Sequence, residues 1–172
     1  KLFEKTWQLI APHELIEKSC LLVMGSEGRG EQLLKTDQDN ALIVADSFSD
    51  WTIIQEATKR FSDALISFGY PECPGKIMVN NPDWCMTLTN FSERVKSWVI
   101  HPSSDHLMNL AIFMDAHAVC GDTALLQKLK EAVFKYSSDN QFHLMRFAAA
   151  VDLISSEAGW WNKLLGIADA TL

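Results

Sequence analysis

Two short apolar runs, separated by a polar segment that contains three glycines, constrain the fold of this chain more than any other feature. The first run covers residues 20–24 and stops at Gly25, and the second covers residues 41–45. Apolar runs of this length, bounded by turn residues, are typical of strands that are buried on both faces of a sheet. The sequence therefore predicts two buried strands with a polar loop over residues 25–36 between them.

Helical spacing of apolar residues dominates the remainder of the chain. Residues 2–19 follow a loose helical pattern with a break at Pro12, and a longer helix is predicted between Asp50 as N-cap and Gly69 as C-cap. Another helix is predicted from Pro82, because proline suits the first helical position. Later helices are predicted after Ser103 or Ser104, after Asp122 and after Asp139, and a short β-like piece at residues 76–79. The first half is therefore predicted to be mixed α/β and the second half nearly all helical.

The composition excludes several classes of protein. The chain has 172 residues, 48% of them hydrophobic, with 15 Lys and Arg against 22 Asp and Glu. The net charge of −7 argues against a general affinity for nucleic acids or anionic membranes, because neutralising phosphates needs clustered positive charge. No apolar stretch approaches the roughly 18 residues of a membrane span, and the four cysteines form no CxxC pair. We therefore expect a cytoplasmic protein with reduced thiols that binds neither nucleic acid nor membrane.

The glycine-containing segment after the first predicted strand matches neither common phosphate-binding motif. Its glycines have the order GxxGxG, and although Gly25 and Gly30 have the spacing of a P-loop, Glu31 stands where that motif needs a lysine. Gly25 and Ser26 still offer backbone N–H groups and a hydroxyl to an anion, and Arg29 adds positive charge. The alternatives are an ordinary turn and a salt bridge between Arg29 and an acid such as Glu31.

Two aspartates stand at the entrance of the second predicted strand. Asp37 and Asp39 are two residues apart, so in a strand they project from the same face, about 6.6 Å from each other. Paired carboxylates repel each other unless a cation lies between them, and their hard oxygens suit Mg²⁺. The alternative is a solvated strand entrance with Asp37 in a turn. The spacing alone leaves both interpretations open.

Together these two pieces resemble a known signature. Gly25-Ser26, a ten-residue spacer and Asp37-x-Asp39 followed by apolar residues look like the motif of the DNA polymerase β-like nucleotidyltransferase superfamily. In more detail, GSEGRGEQLLKTDQDNALI over residues 25–43 closely resembles the nucleotidyltransferase domain of bacterial signalling proteins that also carry CBS and cyclic-nucleotide-binding domains. That domain is akin to the nitrogen-regulatory uridylyltransferases and the glutamine synthetase adenylyltransferases. The resemblance continues through residues 69–75 and 81–84 and covers roughly residues 15–125.

The resemblance implies a fold, a reaction and a set of site residues. The fold is an α/β nucleotidyltransferase fold, with a small mixed β-sheet flanked by helices and followed by an all-helical segment. The reaction is Mg²⁺-dependent transfer of a nucleoside monophosphate from a nucleoside triphosphate, ATP or UTP, to an acceptor hydroxyl of a protein or small molecule. Asp37 and Asp39 are implied as catalytic residues and as ligands of two metal ions, and Gly25, Ser26 and Arg29 as nucleotide-binding residues.

The resemblance also sets expectations about the whole chain. We expect a nucleotidyltransferase domain over residues 1–121 and the start of a truncated helical domain over residues 122–172, within a longer bacterial signalling protein whose CBS or cyclic-nucleotide-binding domains regulate it. Related enzymes commonly use a third carboxylate, for which Glu72 and Asp115 are candidates. The sequence departs from the family pattern where Lys76 and His117 replace a common glycine and arginine. The alternative function is a catalytically weak nucleotide-sensing or interaction module.

Overall fold

The computed structural model describes residues 1–24 and 38–138, which form six helices and four strands. The helices are α1 (Leu2–Ile10), α2 (His13–Glu17), α3 (Trp51–Ser67), α4 (Leu88–Ile100), α5 (Ser104–Met114) and α6 (Thr123–Ser138). The strands are β1 (Ser19–Val23), β2 (Asn40–Val44), β3 (Cys85–Thr87) and β4 (His117–Gly121). The predicted last helix, after Asp139, lies outside the described residues.

The four strands form one mixed sheet in the order β3-β2-β1-β4. β1 is antiparallel to both of its neighbours, with Leu21 opposite Leu42 of β2 and Cys120 of β4, whereas β3 is parallel to β2. Every residue of β1 and β2 is buried, because these two central strands are covered by helices on both faces. This burial accounts for the two apolar runs in the sequence, and the predicted mixed α/β fold is confirmed.

Helices cover the sheet on both faces and form two apolar cores. α1 and α3 pack on one face, where Trp7 and Phe61 meet edge to face with ring centroids 5.4 Å apart. α4, α5 and α6 pack on the other face, where Phe91, Trp98 and Phe113 form an aromatic cluster. Such aromatic side chains bury large apolar areas and contribute much of the driving force for folding.

The helix predicted after Asp50 is confirmed with its N-cap, whereas its C-cap is Phe68 and the predicted C-cap, Gly69, is the residue that follows. The Asp50 carboxylate accepts a hydrogen bond from the Ile53 N–H at 3.2 Å, which satisfies one of the backbone donors that a helix start leaves without a partner. After the helix ends, Gly69 has a φ of +86°, the left-handed conformation in which glycine commonly terminates helices. A side-chain hydrogen bond therefore sets the start of α3, and a glycine in the left-handed conformation follows its end.

Two predictions about the middle of the chain are wrong. The helix expected at Pro82 begins at Leu88, after β3, with the Thr87 side chain accepting from the Asn90 N–H. Residues 84–87 extend along β2 instead, where the Leu42 N–H donates to the Trp84 carbonyl at 2.9 Å. Residues 76–79, predicted as a β-like piece, form no strand. Pairing with a distant strand outweighed the local helical preference in this segment.

The helical second half contains one strand that the sequence did not indicate. β4 lies between α5 and α6 and pairs with β1, all of whose residues are buried. α6 then packs with its predicted inward residues, Leu125, Leu126, Leu129 and Val133, in the same core as the sheet. α6, which follows the expected domain boundary at residue 121, therefore packs into the same apolar core as residues that precede this boundary.

The helices described over residues 1–24 and 38–138 are all too short or too polar to cross a membrane.

We predict that Gly121→Ala destabilises the protein by at least about 2 kcal/mol. Gly121 has a φ of +94°, and a Cβ there would overlap the Ser19 carbonyl oxygen and lie 2.9 Å from the Ile16 carbonyl oxygen. Gly75→Ala is the matched control, because a Cβ at Gly75 would make only ordinary contacts of 3.5 Å or more, and we expect a change within about 1 kcal/mol. Urea unfolding measures both, and equal effects would contradict the prediction.

Asp46 joins the end of β2 to the start of α4. Its carboxylate accepts hydrogen bonds from the Thr89 N–H at 3.0 Å and the Thr89 hydroxyl at 2.9 Å. Desolvation by the neighbouring residues opposes ionisation of the exposed Asp46, but these bonds and one from the Thr87 hydroxyl outweigh it and lower the pKa of the carboxyl below its ordinary value of 3.8. The charge also lies at the positive end of the α4 dipole.

We predict that Asp46→Ala lowers the free energy of unfolding by about 1 kcal/mol at neutral pH. Because the folded-state pKa is lowered, the stabilisation is fully present above 3.8 and is lost as the pH falls through the folded-state value. Urea unfolding at neutral and acid pH measures the difference between variant and wild type. A difference that persists unchanged in acid would show that the carboxylate charge is not its source. Asp63→Ala, which breaks an exposed ion pair with Lys59, is the control and should cost less than about 0.5 kcal/mol.

Candidate functional site

Three strand ends meet at one edge of the sheet. β1 ends at Val23, which pairs with Asn40 at the start of β2 and with His117 at the start of β4. Just beyond these pairs, the Met24 N–H donates to the Asp39 carbonyl at 3.0 Å. We call this edge, defined by Val23, Asn40 and His117, the site edge. Residues 25–37 connect the two strand ends that lie there.

Asp39 stands at the site edge, half-buried and directly before β2. The other residues that the sequence assigns to the site, Gly25, Ser26, Arg29 and Asp37, lie outside the described residues. The structure therefore places one of the two predicted metal-binding aspartates, and the grouping of all five residues stays a prediction.

Gln38, the residue before Asp39, is buried against the segment that connects α3 to β3. Its N–H donates to the Pro71 carbonyl at 3.2 Å, and its Nε2 donates to the Tyr70 carbonyl at 3.3 Å. Gln38 also forms an isolated parallel bridge with Glu72. We call this segment, residues 68–84, the α3–β3 loop. One flank of Asp39 is therefore held by the beginning of this loop.

Asn40, the residue after Asp39, is held by the later part of the same loop. Its N–H donates to the Ile77 carbonyl at 3.0 Å, and its Oδ1 accepts from the Val79 N–H at 2.9 Å. The Asn40 side chain is fully buried, so this polar contact lies out of water, where a hydrogen bond is stronger than in solvent. The α3–β3 loop therefore holds both neighbours of Asp39.

Cys73 of the α3–β3 loop lies beside Asp39. Burial, the negative charge of Asp39 and a side-chain hydrogen bond between the two groups together raise the pKa of the Cys73 thiol to about 12. The thiol is therefore protonated at neutral pH and acts as a hydrogen-bonding neighbour of the carboxylate. The thiolate, which is the nucleophilic form of cysteine, is disfavoured here.

The two candidates for a third carboxylate both lie near the site edge. Glu72 is exposed and pairs with the Lys76 ammonium, whereas Asp115 is half-buried and lies two residues before β4. Within residues 1–24 and 38–138, no three His, Cys, Asp or Glu side chains lie close enough together to hold a metal ion. Neither candidate forms such a trio with Asp39 in this part of the chain.

Lys76 occupies a position where the resembled family commonly has glycine. Its φ of +54° is in the left-handed region, which glycine adopts more readily than a residue with a Cβ. The ion pair of its ammonium with Glu72 keeps the side chain in the same turn of the α3–β3 loop. Lys76 therefore replaces the common glycine and still adopts the backbone conformation that a glycine would favour.

Lys130 of α6 brings a positive charge to the site edge. Its Nζ donates to the Ala116 carbonyl at 2.8 Å and to the Met114 carbonyl at 3.4 Å. These carbonyls flank Asp115, next to the start of β4. The sequence carries no signal for this placement, because a lysine on a helix is ordinarily a solvated side chain.

The family of the chain follows from a family-model comparison. A family model described as "Putative nucleotidyltransferase DUF294" matches residues 1–105, which is more than half of the 172 residues. The chain belongs to this family. The matched residues include β1, β2 and β3, the α3–β3 loop and Asp39. The resemblance read from residues 25–43 is therefore confirmed at the level of a nucleotidyltransferase family.

Other comparisons add little about this member of the nucleotidyltransferase family. No curated protein matches the chain. A solved structure described as "Crystal structure of the toxin-antitoxin with AMP-PNP" matches with 15% sequence identity and a TM-score of 0.37, covering 88% of this chain and 94% of that one.

We predict that the thiols of this family member are unreactive in the folded protein. All four are free and buried, and burial raises the pKa of Cys20, Cys73 and Cys85 to about 12 and raises that of Cys120 as well. At about pH 8, titration with a thiol-specific disulfide reagent should therefore proceed far more slowly than with free cysteine. The unfolded protein in guanidinium chloride is the control and should yield four thiols. One fast-reacting thiol in the folded protein would contradict the prediction.

Proposed function

We propose that the protein transfers a nucleoside monophosphate from ATP or UTP to an acceptor hydroxyl in a Mg²⁺-dependent reaction. Membership of a nucleotidyltransferase family over residues 1–105 is the observation that carries this proposal. The position of Asp39 at the site edge supports it, since the chain leaves β1 and enters β2 at that edge, with Gly25 and Ser26 following β1 in sequence.

The donor set fits divalent cations that favour oxygen. Asp39 presents a half-buried carboxylate before β2, and Asp37 supplies a second carboxylate two residues earlier in the sequence. Hard carboxylate oxygens are ligands that Mg²⁺ prefers, and Mg²⁺ commonly takes one or two of them together with phosphate oxygens. We therefore assign Asp37 and Asp39 to the metal ions, and when bound these ions would neutralise charge on the phosphate oxygens.

The chain's own residues would bind and orient the triphosphate. Gly25 and Ser26 offer backbone N–H groups and a hydroxyl to its phosphates, and Arg29 offers a planar set of donors that suits phosphate oxygens. The acceptor hydroxyl oxygen forms a bond to the α-phosphorus, the bond between that phosphorus and the bridging oxygen breaks, and pyrophosphate leaves. The hydroxyl proton passes to solvent. Lys130, at the site edge, adds positive charge on the side of β4.

The cellular setting is part of the proposal. The resemblance over residues 25–43 is to domains of bacterial signalling proteins, so we propose that this domain acts in signal transduction under the control of CBS or cyclic-nucleotide-binding domains. In this setting the acceptor is a protein or a small molecule that carries a hydroxyl group.

The double variant Asp37→Ala/Asp39→Ala tests the proposal. We expect it to lose Mg²⁺-dependent release of pyrophosphate from ATP and UTP by at least about 100-fold, while circular dichroism shows an unchanged fold. The matched control is Asp63→Ala/Asp105→Ala, which removes two exposed carboxylates away from the site edge and should retain wild-type release.

Three outcomes separate the candidate functions. Loss of pyrophosphate release in the site variant alone supports the transferase. Wild-type protein that binds triphosphate and Mg²⁺ without turnover favours the alternative of a nucleotide-sensing module. Full activity in the site variant would show that Asp37 and Asp39 are wrongly assigned.

A further inference from the structure

Two buried amide side chains flank Asp39, and each uses only part of its hydrogen-bonding capacity. Gln38 and Asn40 both have 0% exposure. Gln38 donates through Nε2 and Asn40 accepts through Oδ1, and these bonds fix which amide atom is oxygen and which is nitrogen. The remaining atoms, Gln38 Oε1 and Asn40 Nδ2, are buried without a hydrogen-bond partner among the described residues.

The unpaired atoms of these two amides reduce the stability that their hydrogen bonds to Tyr70 and Val79 contribute. A buried polar atom without a partner costs about 1–3 kcal/mol, whereas an apolar side chain of the same shape avoids that cost. Met has nearly the shape of Gln, and it would place no unpaired polar atom at position 38. A buried polar atom without a partner calls for an explanation, and a role at a site is one such explanation.

The hydrogen bonds of Gln38 and Asn40 fix the backbone on both sides of Asp39. Gln38 is bonded to the beginning of the α3–β3 loop through its N–H and its side chain, and Asn40 is bonded to the later part of that loop in the same two ways. Asp39 itself accepts from Met24 through its carbonyl. Three consecutive residues are therefore held from two directions, by β1 and by the α3–β3 loop.

This arrangement is the one that a metal-binding carboxylate requires. A metal ligand must be held within about 0.5 Å of its productive position, and neighbouring groups supply that restraint through packing and hydrogen bonds. Fixing the backbone of residues 38–40 fixes the direction of the Cα–Cβ bond of Asp39, so that only the side-chain rotamers set where its carboxylate lies. Cys73, which hydrogen-bonds to Asp39, restricts the carboxylate group directly.

We propose that Gln38 and Asn40 are positioning residues, which hold Asp39 in place for metal binding by anchoring both of its flanks to the α3–β3 loop. This inference rests on the proposed function, because it takes Asp39 as a metal ligand. It adds two residues whose side chains do not contact the nucleotide or the metal and which act through Asp39.

Manganese binding to the full 172-residue chain tests the inference. Mn²⁺ replaces Mg²⁺ as the probe and is supplied as its complex with an α,β-methylene analogue of ATP or, in parallel, of UTP, because the triphosphate itself chelates Mn²⁺. Electron paramagnetic resonance follows the protein-bound complex, and the Kd for Mn²⁺ is the dissociation constant of this complex. We expect Asn40→Ala to raise the Kd for Mn²⁺ about 10-fold or more, the usual size of an effect from a group behind a metal ligand. We expect Gln38→Met to raise the Kd as well, without lowering the Tm.

The combination of unchanged Tm and weaker metal binding in Gln38→Met is a result that a merely structural role would not produce. Ser19→Ala is the matched control. Ser19 is also fully buried, and its hydroxyl donates to the Leu15 carbonyl at 2.6 Å at the opposite end of β1. This variant loses a buried hydrogen bond of the same kind and should keep the wild-type Kd for Mn²⁺. If Asn40→Ala fails to fold, the Kd of Gln38→Met decides alone.

The outcomes distinguish failure of the inference from failure of the proposed function. A Kd for Mn²⁺ that rises in a folded Asn40 or Gln38 variant and not in Ser19→Ala supports the inference. If Asp39→Ala abolishes Mn²⁺ binding but the Gln38 and Asn40 variants bind Mn²⁺ as the wild type does, the inference is overturned. The proposed function then still stands. Wild-type protein that binds no Mn²⁺ with either analogue overturns both.

Discussion

The antiparallel pairing of β1 with β2 is the interaction on which the rest of the structure depends. All residues of both strands are buried, and alternate side chains enter the two different cores. A shift of one residue in register would exchange those cores, so apolar packing specifies the register strongly. That register places Val23 opposite Asn40, and it therefore brings the end of β1 and Asp39 to the same edge of the sheet.

The site edge is completed by segments that lie far from β1 and β2 in the sequence. The α3–β3 loop has little regular structure, yet it satisfies backbone groups of Gln38 and Asn40 that face away from β1. β4 and α6 complete the other side, where Lys130 donates to the carbonyls around Asp115. At the site edge, β1 and β2 are tightly packed. The polar contacts beside them satisfy only part of the hydrogen-bonding capacity of Gln38 and Asn40. Such a combination is typical of sites where position matters more than stability.

Elements whose signals are local were predicted well. The two central strands were predicted within one residue of their observed bounds, and α3 was predicted with the cap at Asp50. The errors fall where the deciding partner is remote. Residues 84–87 extend along β2 in place of the helix expected from Pro82, and β4 forms because β1 has a free side. Of the candidate site, the sequence indicated Asp39 through its spacing and its family resemblance, but not Cys73, Lys130 or the anchoring of its flanks.

The sequence by itself determined the buried central strands, the periodicity of α3 and the membership of a nucleotidyltransferase family. The signal for each of these features lies within one continuous stretch of residues. Only the tertiary structure decided the strand order, the place of β4 and the contacts that hold Asp39. The reason is the distance along the chain between hydrogen-bond partners. Asn40 and Val79 are 39 residues apart, and no periodicity or spacing motif specifies which backbone group will meet a buried amide across such a distance. Packing of the whole chain makes that choice, since buried polar groups accept the partners that the apolar cores bring to them.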